Sequence, residues 1–253
     1  MSGHSKWANI KHQKAKADAQ KGNVYSKLAR EIMVAARQGG GNPEANFRLK
    51  TAILKAREAN IPSDNINRAI QRGTGALEGV NYEELVYEGY GPGGVAVLLD
   101  VMTDNRNRTA GEIRHLFSKH GGNLAENGAV AWLFDRKGFI SLEREKNRLG
   151  EDEIMMLALE AGAEDMKTEE EGYEVLTSPE DLERVKNLLE KSGLKVSMAE
   201  ITKVPKTAVP LSGRQAEQML KLMDLLEDHD DVQKVYANFE IAEEEMKRIL
   251  GES

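Results

Sequence analysis

The chain has no cysteine. That absence excludes disulfides, thiolate metal sites and cysteine nucleophiles, and it fits a reducing compartment. Long apolar runs are also missing. None approaches the roughly 20 residues that span a bilayer, so no membrane partner is expected. The N-terminus is basic but lacks the apolar core of a secretory signal, and a cytoplasmic protein is expected. Aromatic residues are scarce at 5%, with two tryptophans, so rings placed among cations stand out.

Catalytic patterns are absent as well. Gly91-Pro92-Gly93-Gly94 is rich in glycine, yet no Gly-Lys-Ser/Thr follows it, so it reads as a hairpin turn and not a phosphate loop. Asp104-Asn105-Arg106-Asn107 lacks the glycine at the sixth position and the closing glutamate of a calcium loop. The five histidines are scattered, and His115 and His120 do not have zinc-helix spacing. Gly-x-Ser-x-Gly does not occur. These exclusions lead to the expectation of no enzyme activity, no cofactor, no metal and no small-molecule substrate.

What the chain does have is segregated charge. The formal net charge is −7, but residues 1–72 carry 14 Lys and Arg against 5 Asp and Glu, leaving the remainder at −16. A basic end on an acidic body points to nucleic acid as the partner of that end. The densest part is Gly3–Ile32, where Lys6, Lys11, Lys14, Lys16, Lys21, Lys27 and Arg30 recur with Trp7, His12 and Tyr25 among them. Lysines would contact phosphates, and Trp7 would stack on a base or wedge into a groove. Arg106 and Arg108 form a second candidate contact. They lie near a helix N-terminus, where backbone donors and guanidinium groups together suit an anion; pairing with Asp104 or another acid is the alternative.

Residues 1–23 show little apolar periodicity and read as a basic flexible arm ended by Gly22-Asn23. Residues 24–75 read as three short helices. Their apolar stripes are Val24, Leu28, Ile32 and Ala35; then Leu49, Ile53 and Ala56, with Pro43 early in that helix; then Ile66, Ala69 and Ile70, with Ser63 as cap. The glycine-bearing stretch from Thr74 to Asn81 suits a linker. Beyond it, short strand-like runs alternate with amphipathic helices. A strand is expected at Ala129–Phe134, and Thr109-Ala110-Gly111-Glu112 has the form of a capping box. The reading is α+β with three domains: the helical one, a ferredoxin-like domain from 82–135 plus 206–242, and a second α+β domain inserted at 136–205; two sequential α+β domains are the alternative that fits the same pattern.

Four segments carry a family resemblance: Gly-His-Ser-Lys-Trp-Ala-Asn-Ile-Lys-His at 3–12, Tyr-Glu-Gly-Tyr-Gly-Pro-Gly-Gly-Val-Ala at 87–96, Thr-Asp-Asn-Arg-Asn-Arg-Thr at 103–109, and Lys-His-Gly-Gly-Asn-Leu at 119–124. Together they closely resemble the YebC/PmpR family, which includes the mitochondrial translational activator of cytochrome c oxidase subunit I. The resemblance implies three domains with the third inserted in the second, and no enzymatic activity. It also implies one of two roles. One is a DNA-binding transcriptional regulator in the cytoplasm. The other is a translation factor that binds ribosomal RNA and acts on proline-rich nascent chains.

Overall fold

The computed structural model describes residues 18–169 and 172–250. The N-terminal region is helical: α1 (Asp18–Gly39), α2 (Phe47–Glu58) and α3 (Ser63–Gly73). Each helix is amphipathic, and their apolar stripes meet. Ile32, Ala35 and Ala36 of α1 are buried with Leu49, Ala52, Ile53 and Ala56 of α2, and with Ile66 and Ala69 of α3. A buried amide locks the corner between α1 and α2. Asn46 Nδ2 donates to the carbonyls of Ala35 and Gly40, both at 2.8 Å, and its Oδ1 accepts from Leu49 N at 3.1 Å. One side chain thus serves the end of one helix and the start of the next, where backbone groups lack helical partners. At the close of α3, a Cβ on Gly73 would stand 2.4 Å from the Met33 carbonyl oxygen, so only glycine lets α3 approach α1 this closely.

Three helix boundaries differ from the sequence reading. α1 runs straight through Gly22-Asn23. A helical glycine costs only about 1 kcal/mol, and Asn23 Nδ2 is anchored on the Asp228 carbonyl at 2.7 Å. Pro43 sits in a turn ahead of α2, whose cap is Asn46. Ser63 is the first residue of α3, behind Pro62, and makes no capping bond.

β1 (Glu83–Tyr90) and β2 (Ala96–Thr103) form an antiparallel hairpin. Its connection includes a 3-10 turn at Pro92–Gly94, with Gly93 at φ 72° and Gly94 at φ 78°, a region that favours glycine. α4 (Arg106–Lys119) follows, capped by Asn105, whose side chain accepts from Arg108 N at 3.1 Å. Thr109 is therefore not the cap. Its hydroxyl is buried and lies 2.7 Å from both Thr103 Oγ1 and Asp231 Oδ2. β3 (Asn123–Leu124) then pairs with β1.

The strand expected at Ala129–Phe134 is replaced by a 3-10 turn at Ala131–Leu133. The reason lies in the buried Glu88 carboxylate, which accepts from the backbone N–H groups of Gly128, Val130 and Ala131 at 2.6, 2.7 and 2.8 Å. Those donors are then not available to a ladder.

Next come β4 (Phe134–Glu143), α5 (Glu151–Ala161), β5 (Asp165–Thr168), β6 (Gly172–Thr177), α6 (Leu182–Lys191) and β7 (Met198–Pro205). The strands form an antiparallel sheet in the order β5-β6-β4-β7, the ferredoxin-like path. Ile140 and Leu142 of β4 and Tyr173 and Val175 of β6 share a core with Ile154 and Ala158 of α5 and Val185 and Leu189 of α6.

The described residues end with β8 (Val209–Leu211), α7 (Gly213–Asp228), β9 (Val232–Ala237), β10 (Phe239–Ile241) and α8 (Glu243–Leu250). β9 pairs with β2, completing a second antiparallel sheet in the order β3-β1-β2-β9. Ile113 and Phe117 of α4 and Met219, Leu222, Met223 and Leu226 of α7 are buried on this part of the fold. Contacts divide the described chain into two compact units. One holds Trp132–Ala208 and Asn238–Glu240; the other includes the helical region, the β1–β3 segment and Val209–Ala237. The protein is α+β, with a helical N-terminal region and two sheet-bearing domains.

Candidate nucleic-acid interface

Lys6, Trp7, Lys11, His12, Lys14 and Lys16 lie outside the described residues, and Lys21 falls in the first turns of α1. The structure places the remaining candidates on internal partners, with one exception.

Lys27 and Arg30 face the C-terminal end of α7. Lys27 Nζ donates to the Glu227 carbonyl, Arg30 Nη1 donates to the Asp230 carbonyl, and Arg30 Nη2 lies 3.7 Å from Asp231 Oδ1. The last carbonyls of a helix lack backbone donors and carry its partial negative charge, so cations there are favoured. The sequence reading assigned these two side chains to phosphates. Instead they hold α1 against α7.

Arg108 is also occupied. Its Nη2 donates to Asp231 Oδ2 at 2.7 Å and to Asp104 Oδ1 at 2.9 Å, so the pairing alternative is the one realised. Asp231 is buried and also accepts from Thr103 Oγ1 at 3.2 Å. Burial pushes its carboxyl pKa up, but hydrogen bonds from Thr109 and Arg108 and the charges of Arg108 and Arg30 outweigh this, holding it below the usual range. The surrounding cleft, about 640 Å³, is lined by Asp104, Glu112, Asp228, Asp230 and Asp231 against Arg30 and Arg108. Five carboxylates and two guanidinium groups make a poor place for a phosphate. Arg106 is the exception. It is exposed on the first turn of α4, and its side chain makes no ion pair among the described residues.

Glu112, His229 and Asp231 bring three potential metal-ligand atoms within 4.8 Å of one another. These groups already bond one another and their neighbours. His229 Nε2 lies 3.0 Å from Glu112 Oε2, and its Nδ1 accepts from Asp231 N at 3.1 Å. With Arg108 already on Asp231, the set fits an internal polar network and does not fit a dication.

Arg48 of α2 grips Glu84 of β1 through both terminal nitrogens, at 3.0 and 2.5 Å, and Gln38 adds a bond to the same carboxylate at 2.7 Å. The Arg48 hydrogen bond is the main reason that Glu84 titrates below its usual range. By contrast, Arg37, Arg57, Arg68 and Arg72 are exposed, and their side chains form no ion pair among the described residues. Phe47 opens α2 with 77% of its surface exposed. These five side chains are absent from the sequence-based candidates. The charge count that drew attention to Gly3–Ile32 contains all four arginines, but nothing in it separates a free guanidinium from one spent on an acid.

Comparison with known proteins follows the same division of the chain. The model described as "TACO1/YebC protein N-terminal domain" matches residues 5–76, and "TACO1/YebC second and third domain" matches residues 82–239. A protein of Carboxydothermus hydrogenoformans, named "Probable transcriptional regulatory protein", is 63% identical over 244 residues, covering 96% of this chain and 100% of that one. A protein of the same name from Pelotomaculum thermopropionicum is 60% identical over 241 residues, covering 95% and 99%. The crystal structure of a conserved hypothetical protein from Aquifex aeolicus superposes with a TM-score of 0.79 at 51% identity, covering 90% of this chain and 94% of that one. The chain belongs to the TACO1/YebC family.

Proposed function

We propose that the protein is a non-enzymatic regulator of gene expression that binds nucleic acid through its basic arm and helical region. One observation carries this reading: a basic N-terminal segment, set against an acidic remainder, keeps Arg37, Arg57, Arg68 and Arg72 exposed and without ion pairs among the described residues. The cations of the arm, Lys6, Lys11, Lys14, Lys16 and Lys21, extend the same field. The relatives' name, "Probable transcriptional regulatory protein", supports regulation of transcription, and this reading takes DNA as the target. No helix among the described residues is long and apolar enough to cross a membrane.

A second reading takes ribosomal RNA as the target. Phe47 favours it: an exposed ring three residues from Lys50 on one helix face offers a stacking surface for an unpaired base, which duplex DNA does not present. Fractionation of cell extract on a sucrose gradient, with and without DNase and mRNA-degrading nuclease, separates the two. Loss from the heavy fractions only on DNase treatment supports transcription, and comigration with ribosomes that survives both nucleases supports translation. Recovery only at the top of every gradient would contradict both.

A further inference from the structure

Two of the exposed arginines, Arg37 and Arg72, share a groove in the helical region. It is about 450 Å³ and lies between the C-terminal half of α1, the end of α3 and the linker that leads into β1. Among the described residues, Arg37 and Arg72 are its only charged lining residues, and no carboxylate lines it. In an acidic chain of net charge −7 this is unusual: two guanidinium groups share one concavity with neither neutralised by an ion pair among the described residues. Glu83 and Glu84 line an adjoining hollow that shares Val34, Arg37 and Tyr82 with the groove, and Glu84 is already held by Arg48 and Gln38.

The rest of the wall is mixed: Thr74, Asn81 and Tyr82 add polar groups to apolar side chains and backbone. Met33 and Val34 come from α1, and Leu77 and Val80 come from the linker. Leu77 is 44% exposed and Val80 53% exposed. Apolar side chains left open beside unpaired cations describe a ligand with a flat apolar part and an anionic part. Gly73, Gly75 and Gly79 edge the groove and keep its rim free of side chains.

We infer that this groove holds one nucleotide unit of a nucleic-acid strand, with its phosphate between Arg37 and Arg72 and its unpaired base against Leu77 and Val80. Paired guanidinium forks match phosphate oxygens in geometry as well as charge. A base in this position cannot remain stacked in a duplex, so the inference rests on the nucleic-acid reading and narrows it to strands with unpaired bases.

The test is fluorescence anisotropy of the full chain with a labelled single-stranded RNA, for the wild type and for the R37A/R72A and R57A/R68A variants. Each double variant removes two exposed arginines, but only the first pair lines the groove. The expected result is a loss of about tenfold or more for R37A/R72A, clearly larger than for R57A/R68A. L77D is expected to weaken binding as well, and an unlabelled duplex of the same sequence to compete poorly. Equal losses for the two double variants, or full competition by the duplex, would overturn the groove and leave the nucleic-acid reading in place. If the wild type binds no strand but a nucleoside diphosphate binds and depends on Arg37 and Arg72, the groove stands as a free-nucleotide site and the broader reading falls. If neither ligand binds, both fall.

Discussion

Arg108 Nη2 and Asp231 Oδ2 are 2.7 Å apart, and Arg30 of α1 approaches the other oxygen of the same carboxylate at 3.7 Å. One buried acid at the start of the last core strand thus ties together the first helix, the fourth helix and the turn after α7. The positive end of α4, which in isolation suits an anion, already has one within the fold.

Replacing Asp231 with alanine leaves two guanidinium groups and two threonine hydroxyls without their shared acceptor. The expected loss is about 2–3 kcal/mol in urea unfolding. R108A should lose less, because Arg108 remains partly open to water that can replace the bond. Since the Asp231 carboxyl titrates below its usual range, its contribution is present above the unfolded pKa and lost as pH falls through the folded one. The wild type should therefore lose more stability on acidification than the alanine variant.

Glu174 on β6 should give a pH dependence of the opposite sign. Burial, reinforced by Glu169, pushes its carboxyl up from 4.5 to about 7, and its Oε1 has no hydrogen-bond partner among the described residues. The folded state then holds a proton that the unfolded state releases. Stability should fall as pH rises from about 4.5 to about 7 and level off above, by up to about 3 kcal/mol from this group. E174Q should flatten this part of the Tm-against-pH curve and raise Tm at pH 8. A wild-type curve that rises through the window unchanged by E174Q would contradict the assignment.

Two glycines in the helical region should respond in opposite directions. At Gly73 a methyl group would meet the Met33 carbonyl at 2.4 Å and Ala36 Cβ at 2.8 Å, so G73A should cost about 1–3 kcal/mol. At Gly22, exposed within α1 with nothing within 4 Å of a Cβ, G22A should add up to about 1 kcal/mol. Chemical denaturation of both variants checks the close approach of α1 and α3 and the continuity of α1.

Lys27 and Arg30 should behave as structural cations. K27A is expected to lower stability by about 1 kcal/mol through the uncovered carbonyl of α7, with a smaller effect on nucleic-acid affinity than R57A/R68A. A loss of affinity without a loss of stability would return Lys27 to the binding surface.

The sequence shows the fold well where apolar spacing is regular. The three helical stripes, the β1–β2 hairpin around Gly93 and Gly94, and the alternation of strand and helix in the second half can all be read from periodicity and turn residues. β5 is not visible, because Asp165-Met166-Lys167-Thr168 offers a single buried side chain. The strand expected before β4 fails because Glu88, distant in sequence, takes its backbone donors. The candidate site shows the same limit more sharply. Charge count locates the basic region, but Lys27, Arg30, Arg48 and Arg108 are spent on partners 36 to 200 residues away. Apart from the i,i+4 bond of Arg108 to Asp104, local spacing carries no trace of such pairings, so the arginines that remain open are known only from the fold.

The central claim is that exposed cations of the N-terminal region bind phosphates, and the most direct measurement is the salt dependence of affinity. Full-length protein should be titrated into labelled single-stranded RNA and duplex DNA between about 50 and 200 mM salt. Releasing counterions from five or more phosphates predicts a slope of log K against log salt of about −3.5 or steeper on the single strand, or about −4.5 or steeper if the duplex is preferred, made shallower by R37A/R72A. A slope near zero on both, or no binding at the lowest salt, would contradict the account.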